Sequence, residues 1–432
     1  MEQKNVVIIG GGPAGFFAAI RYAELTQIAG NSPRVCIYER SDKTLSKVLV
    51  SGGGRCNVTH ACFEPGELVK YYPRGASALR GAFTKFQPRD TVEWFKSRGV
   101  ELKAEKDGRM FPVTNSSKTI IECLTTAATK AGVELKTKHT LQSIEQIESE
   151  GYPFKLTFHD QESGEIEEVH AKAILIATGS AESIHRMLIE KGITVKKAIP
   201  SLFTFVIKDK RLEEIPGLSV AEGSAAFLEL DRTGSYATQV GPILITHWGL
   251  SGPAILRLSA WGAKRLAENK YHDRIRVNWL HPQTVDEVGS VLTKLRTDAR
   301  FGKKSVIANS AFSQIAGRMW RKFTEAAGIR EEMKWADLSN IGIRRLAEQL
   351  TCAEYEVNGK GVYKDEFVTC GGVDLDQVSF KDMQSKQIAG LYFAGEVMDV
   401  DGVTGGFNFQ NAWTTGWLAG SGMYERVASS VR

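Results

Sequence analysis

Two glycine-rich stretches, one near each end of the 432-residue chain, hold the residues best suited to chemistry. The first reads Val6-Val7-Ile8-Ile9-Gly10-Gly11-Gly12-Pro13-Ala14-Gly15. Its four β-branched apolar residues suit a strand buried on both faces, and Phe16 to Leu25 suits an apolar helix. The spacing Gly10-x-Gly12-x-x-Gly15 therefore falls in the turn between them. Gly10 permits the turn, Gly12 lets backbone approach a pyrophosphate, and Gly15 lets helix pack on strand. The diphosphate would then meet free N–H groups at the positive end of a helix dipole. A second strand, Arg34 to Tyr38, ends at Glu39. An acid there accepts hydrogen bonds from a ribose 2′- and 3′-hydroxyl pair and repels a 2′-phosphate. The expected cofactor carries a plain adenosine, as FAD and NAD do.

The choice between them comes from two further strands. Ala173 to Ala177 leads into Thr178-Gly179, and Gly390 to Ala394 into Gly395-Glu396. Strands ending in these ways resemble those of two-dinucleotide-binding-domain flavoproteins, which implies FAD, with Glu396 beside a ribityl hydroxyl or the pyrophosphate. Ser51-Gly52-Gly53-Gly54-Arg55-Cys56-Asn57 adds three glycines that permit close approach to a flat or charged group, then a cation and an amide. It is expected to line the flavin. Near the C-terminus, Gly405-Gly406 precedes a helix-like run containing Asn408, Gln410 and Ala412. Free N–H groups at that helix start would stabilise negative charge on the pyrimidine side of a reduced flavin.

The elements that must position these residues read as α/β with an insertion. The flavin-domain pattern covers 1–195 and resumes over 366–432. Strand-like segments such as Leu202–Ile207, Ala225–Leu230 and Ile275–Trp279 suggest an inserted β domain over 196–282 and 353–365. Apolar positions three to four apart, as in Val285, Val288, Leu292 and Leu295, mark a helical subdomain over 283–352. Net charge is +5, and pairs such as Lys303-Lys304 read as solvated surface, which weighs against a nucleic-acid partner. Tryptophans 248, 261, 279, 320 and 335 sit in apolar contexts and read as core. No apolar stretch approaches the ~20 residues that span a bilayer, no signal-peptide cleavage pattern follows the apolar N-terminus, and a cytoplasmic location is expected. Six scattered cysteines form no metal-ligand pattern. Cys56 and Cys62 leave open a redox pair, against which stands the absence of a second dinucleotide fingerprint.

Taken in order, Gly10–Gly15, Ser51–Thr59, Gly108–Pro112, Thr246–Pro253, Val368–Val373 and Gly395–Ala412 resemble the signatures of the YhiN/BaiN-type flavoprotein family across essentially the whole chain. The resemblance implies a Rossmann-like FAD-binding domain interrupted by a β-barrel-like domain that carries a helical piece. It implies pyrophosphate contact at Gly10, Gly12, Pro13, Ala14 and Gly15, ribose contact at Glu39, and Arg40 beside the adenosine. Lys47 and Ser51 to Cys56 would run along the flavin, with Gly395, Glu396, Asn408, Gln410 and Ala412 completing the site. Asn411 and Cys370 depart from the family pattern. The implied activity is an FAD-dependent oxidoreductase of the aminoacetone oxidase or bile-acid Δ4,6-reductase kind, acting on a small organic substrate. NAD(P)H, lacking a domain of its own, would be a transient visitor. An amine oxidase and a flavin-binding module for RNA or protein are the alternatives. His247, in a tight turn with Gly249, Gly252 and Pro253, is the candidate proton donor, with a turn-fixing role equally open.

Overall fold

The structure, a computed structural model, describes residues 2–149, 151–229, 238–361 and 368–429. The chain divides into two compact units, one formed by Met1–Ile199 with Val368–Arg432, the other by Pro200–Phe367.

The first unit is organised by a sheet of seven strands among the described residues. Six lie in the order Glu134–Lys136, Val35–Tyr38, Glu2–Ile9, Ile166–Ile176, Phe154–Asp160 and His139–Gln146, and Leu391–Phe393 also pairs with Ile166–Ile176. The strands around Glu2–Ile9 run parallel, including Leu391–Phe393. Val6 to Ile8 are fully buried, as expected of a parallel strand covered on both faces. Phe154–Asp160 and His139–Gln146 form an antiparallel meander on the far side. The helices Pro13–Ile28 and Phe407–Ser429 pack together closely. Side chains at Gly416 and Gly420 would press against the carbonyl oxygens of Ala14 and Ala18, so small residues at one-turn spacing bring the two backbones together. Two tryptophan contacts brace this junction: Phe17 lies 5.2 Å from the Trp413 ring, and Arg21 sits 4.4 Å over Trp417.

In the second unit, an antiparallel sheet runs Ala353–Val357, Asp273–Asn278, Ser219–Phe227, Thr238–Thr246, Gly249–Ser251, Phe205–Val206 and Gly359–Lys360. The helices Val285–Thr297, Gly317–Ala326 and Asn340–Thr351 do not build a core of their own. Leu292, Trp320, Phe323 and Leu346 join Phe205, Phe227, Ile243 and Trp279 in one apolar cluster. Within Leu202–Ile207 only Phe205–Val206 pairs as strand, and within 311–323 the helix begins at Gly317. Leu230, Val362, Tyr363 and the 365/366 boundary lie outside the described residues. Among the described residues no helix is long and apolar enough to cross a membrane, and no cluster of potential metal ligands occurs.

Candidate functional site

The turn after Glu2–Ile9 separates its glycines by role. A side chain on Gly10 would come within 2.5 Å of the Ala177 carbonyl oxygen, and one on Gly15 would strike the carbonyl of Gly10. These two glycines let the helix, the turn and the neighbouring strand approach. Gly12 is different: a Cβ there meets nothing within 4 Å. It precedes the helix with extended backbone, no side chain caps the helix start, and Pro13 occupies the first turn. The first helical N–H groups therefore have no intrahelical acceptor, which leaves an anion cradle. Glu39 follows the strand Val35–Tyr38 and accepts the Gly11 N–H at 2.7 Å. Its other oxygen accepts the Ser41 N–H at 2.9 Å and hydroxyl at 2.7 Å. The acid thus braces the glycine turn from below, while Arg40 beside it is exposed.

Three distant segments meet this turn. A Cβ on Gly395 would lie 3.0 Å from that of Ala14 and 4.0 Å from that of Ala412, and the Gly395 N–H donates to the Thr415 hydroxyl at 2.9 Å. Glu396 accepts the Thr369 N–H at 2.9 Å and pairs with Lys47 at 2.5 Å. Gly179 adopts left-handed backbone, with its Cβ position 3.6 Å from the Glu396 carboxylate. Next to it the Thr178 hydroxyl is buried with no partner. An orphaned hydroxyl costs about 1–3 kcal/mol, so a polar ligand group or a water is favoured there. An open anion cradle, flanked by an acid at the end of Val35–Tyr38 on one side and an unsatisfied hydroxyl at the end of Ile166–Ile176 on the other, fits the pyrophosphate and sugar of FAD.

The glycine loop adopts an unusual conformation. The helix Ser46–Gly54 breaks at Ser51, and Gly52, Gly53 and Gly54 follow with φ of +59°, +66° and +80°. Side chains on Gly53 and Gly54 would project into open space. Arg55 bonds Glu105 at 2.7 Å and lies 4.0 Å over the Phe111 ring. Arg109 shares Glu105 at 3.0 Å and holds Asp107 at 2.7 Å, so both arginines are tied to acids of the hairpin Leu102–Pro112.

Four groups expected to face the cofactor are taken up inside the protein. Gln410 is fully buried: its carbonyl accepts the hydroxyls of Thr59 (2.6 Å) and Thr91 (2.9 Å), and its amide donates to Thr414 (3.0 Å). It is a structural hub sealed from solvent, bonded through both its carbonyl and its amide nitrogen. Asn408 clamps the preceding loop by bonding both the N–H and the carbonyl of Gly402 at 2.8 Å. The Cys56 side chain is fully buried and burial pushes its thiol up to about 12, so it is not a thiolate nucleophile. Any ligand contact at Cys56 would come from backbone. At the start of Phe407–Ser429 the Gly406 N–H is not free, because the Asn57 amide oxygen accepts it at 3.0 Å while the amide nitrogen donates to the Thr59 carbonyl at 3.1 Å.

The second unit places His247 and Trp248 at an exposed turn between Thr238–Thr246 and Gly249–Ser251. Trp248 is 55% exposed, against its reading as core, whereas Trp279, Trp320 and Trp335 are fully buried. Sequence reasoning also missed His185, whose buried ring has an unpartnered Nε2 near Val397. Desolvation holds this imidazole below its ordinary pKa, partly offset by the Val397 backbone. Asp401, fully buried and ion-paired with Arg74 on both its oxygens, anchors the stretch before Gly405. The spacing Asp399-x-Asp401 before a glycine pair was the available signal.

Comparison with known proteins gives matches over the full length. The sequence model described as HI0933-like protein Rossmann domain matches residues 4–422. The chain is 26% identical to a ribosomal RNA dihydrouridine synthase of Escherichia coli, over 96% of this chain and 97% of that one. It is 25% identical to a 3-dehydro-bile acid Δ(4,6)-reductase of Clostridium scindens, over 98% of this chain and 100% of the other. Among solved structures, the FrdA chain of an Escherichia coli quinol fumarate reductase superposes with a TM-score of 0.52 at 14% identity, covering 99% of this chain and 71% of that one. The last likeness is one of fold.

Proposed function

The chain belongs to the HI0933-like family and is an FAD-dependent oxidoreductase; from there, we propose that it reduces a carbon–carbon double bond conjugated to a carbonyl, in a uracil ring of RNA, with NAD(P)H as donor. One observation carries this reading. Two relatives matched end to end have names that describe different substrates but one chemistry. Dihydrouridine is uridine with the double bond next to its C4 carbonyl saturated, and a Δ4,6 3-keto steroid presents double bonds conjugated to its own carbonyl.

Bound FAD supplies hydride transfer. In this reading the uncapped amides after Gly12 hold the pyrophosphate, Glu39 takes the ribose, and the Thr178 hydroxyl and Glu396 meet the sugar chain. Lys47 offsets the charge of Glu396. Gly53 and Gly54 leave open backbone for a flat ring. The exposed imidazole of His247 is the group proposed to protonate the carbon next to the carbonyl.

Anaerobic mixing with NADH or NADPH, followed through the flavin absorbance, tests the donor. Bleaching is expected, with recovery of colour on adding a ribosomal RNA transcript. Recovery with a conjugated steroid enone but not with RNA would move the substrate to the small-molecule class. His247→Ala should keep bound FAD and lower turnover at least about tenfold, a floor beneath the roughly hundredfold or larger loss usual for a proton donor; unchanged turnover removes His247 from the mechanism.

A further inference from the structure

The geometry points to an RNA-backbone surface on the helical part of the second unit, centred on Arg300, Lys303, Lys304 and Lys334. This rests on the RNA reading of the substrate. Between residues 294 and 334 there are ten Lys or Arg and four Asp or Glu. That surplus of six exceeds the net charge of the entire chain, +5, so the rest of the molecule is close to neutral. Such a concentration of one sign is the electrostatic footprint of a polyanion partner.

The fold gathers these cations onto a firm platform. The segments carrying them are laced together by backbone bonds: Val306 N–H to Met333 O at 2.9 Å, Trp335 N–H to Lys304 O at 3.0 Å, and Ala336 N–H to Gly302 O at 3.0 Å. Ser305 and Lys334 form a bridge within the same ladder. Beneath it Trp335 is fully buried and stacks at 6.0 Å on Trp320, whose indole N–H donates to the Val306 carbonyl at 2.7 Å. The helix Gly317–Ala326 buries Met319, Trp320 and Phe323 and leaves Arg318 and Arg321 outside.

The cations on this platform are exposed and, among the described residues, have no acidic partner at ion-pair distance: Arg300, Lys303, Lys304, Arg330 and Lys334 all qualify. Two neighbouring acids are already engaged. Asp298 accepts the N–H groups of Arg300 and Phe301, which hold its carboxyl below the usual value, and Glu331 pairs with Arg321 at 3.0 Å. Glu325, Glu332 and Asp337 are exposed with no side-chain bond of their own among the described residues, three acids against the five unpaired cations. Lysines fixed by backbone but unpaired are suited to phosphate contacts, which set affinity and carry no base specificity.

The test compares the wild-type holoenzyme with the triple variant Lys303→Ala, Lys304→Ala, Lys334→Ala. Anisotropy of a fluorescein-labelled RNA hairpin is followed across a salt series. Each lost phosphate contact lowers the slope of log K against log salt by about 0.9, so the triple should lose roughly 2.7 and bind more weakly. FAD absorbance and the NADPH-driven bleaching step should be unchanged, which establishes that the variant is folded. Equal slope and affinity in the two proteins would overturn the surface while dihydrouridine formation by wild type kept the RNA reading alive. Failure of the wild type to bind the hairpin would also overturn it, and the reading falls with it only if an rRNA transcript stays unreduced. Loss of binding to phosphatidylglycerol vesicles in the triple, with hairpin binding intact, would overturn it in favour of a membrane surface.

Discussion

Replacing Gln410 by methionine separates two roles that its position in the chain makes look alike. As a cofactor contact, Gln410 would lower FAD affinity when lost and leave the apoprotein nearly as stable as before. The structure puts it in a sealed hydroxyl cluster instead. Methionine has nearly the same volume, so the change deletes polar partners without opening a cavity. Thr59 then loses the acceptor of its hydroxyl in a fully buried setting. A stranded donor costs about 1–3 kcal/mol. Thr91 fares better, because it falls back on a longer 3.4 Å bond to the Gln87 carbonyl. Thr414 keeps its donation to the Phe86 carbonyl and gives up only an acceptor role. The total comes to roughly 2–4 kcal/mol once the weakened bond at Thr91 is included. For a unit of this size it lowers Tm by roughly 4–16 °C. Thermal melts of the apoprotein, with FAD affinity measured by fluorescence titration, report both quantities. A Tm within about 1 °C of wild type together with a large loss of FAD affinity would refute the structural role.

Two other outcomes follow from burial. Iodoacetamide applied to the native protein should leave Cys56 unlabelled and reach it only after denaturation, while Cys62 and Cys352, partly exposed, label first; peptide mass spectrometry showing early modification of Cys56 would contradict its sealed, high-pKa thiol. His60 and His185 both have imidazoles held below the ordinary value by burial, so the unfolded chain binds protons that the folded one refuses. Their contribution is complete above the unfolded pKa, near 6.5, and is lost as pH falls through the depressed folded values. Tm should therefore decline on acidification from pH 7 to 5, less steeply in His185→Asn, and an identical decline in both proteins would exclude His185 as a source.

Much of the first unit was legible because its signals are local. A β-branched run, a glycine turn and a terminal acid sit within forty residues, and hard-sphere contact makes Gly10 and Gly15 obligatory there. The antiparallel meander carries a weaker signal: Phe154, Leu156 and Phe158 alternate with polar neighbours, a period-two pattern unlike the continuous apolar run of a parallel strand. In the second unit the reverse happened. Helical periodicity was read correctly near Val285 to Leu295, yet whether those helices own a core or share one depends on contacts between distant segments. Leu292 and Leu346 packing with Phe205 and Ile243 is information that no window of sequence contains.

The candidate site shows the same division more sharply. Gly12 and Thr178 owe their availability to what surrounds them: an empty space and an absent partner. Asn408 and Gln410 have the same chemistry as cofactor ligands and lie beside the same helix start, but each amide already bonds partners inside the protein through both its oxygen and its nitrogen. Residue type and position along the chain cannot distinguish an amide that waits for a ligand from one that has found its partners inside the protein. Satisfaction of hydrogen bonds does distinguish them, because a buried polar atom left alone costs about as much as a folded domain can spare from its marginal stability. The unsatisfied hydroxyl of Thr178 is therefore stronger ground for a ligand than the motif that contains it, and the satisfied amide of Gln410 is ground against one in spite of its motif.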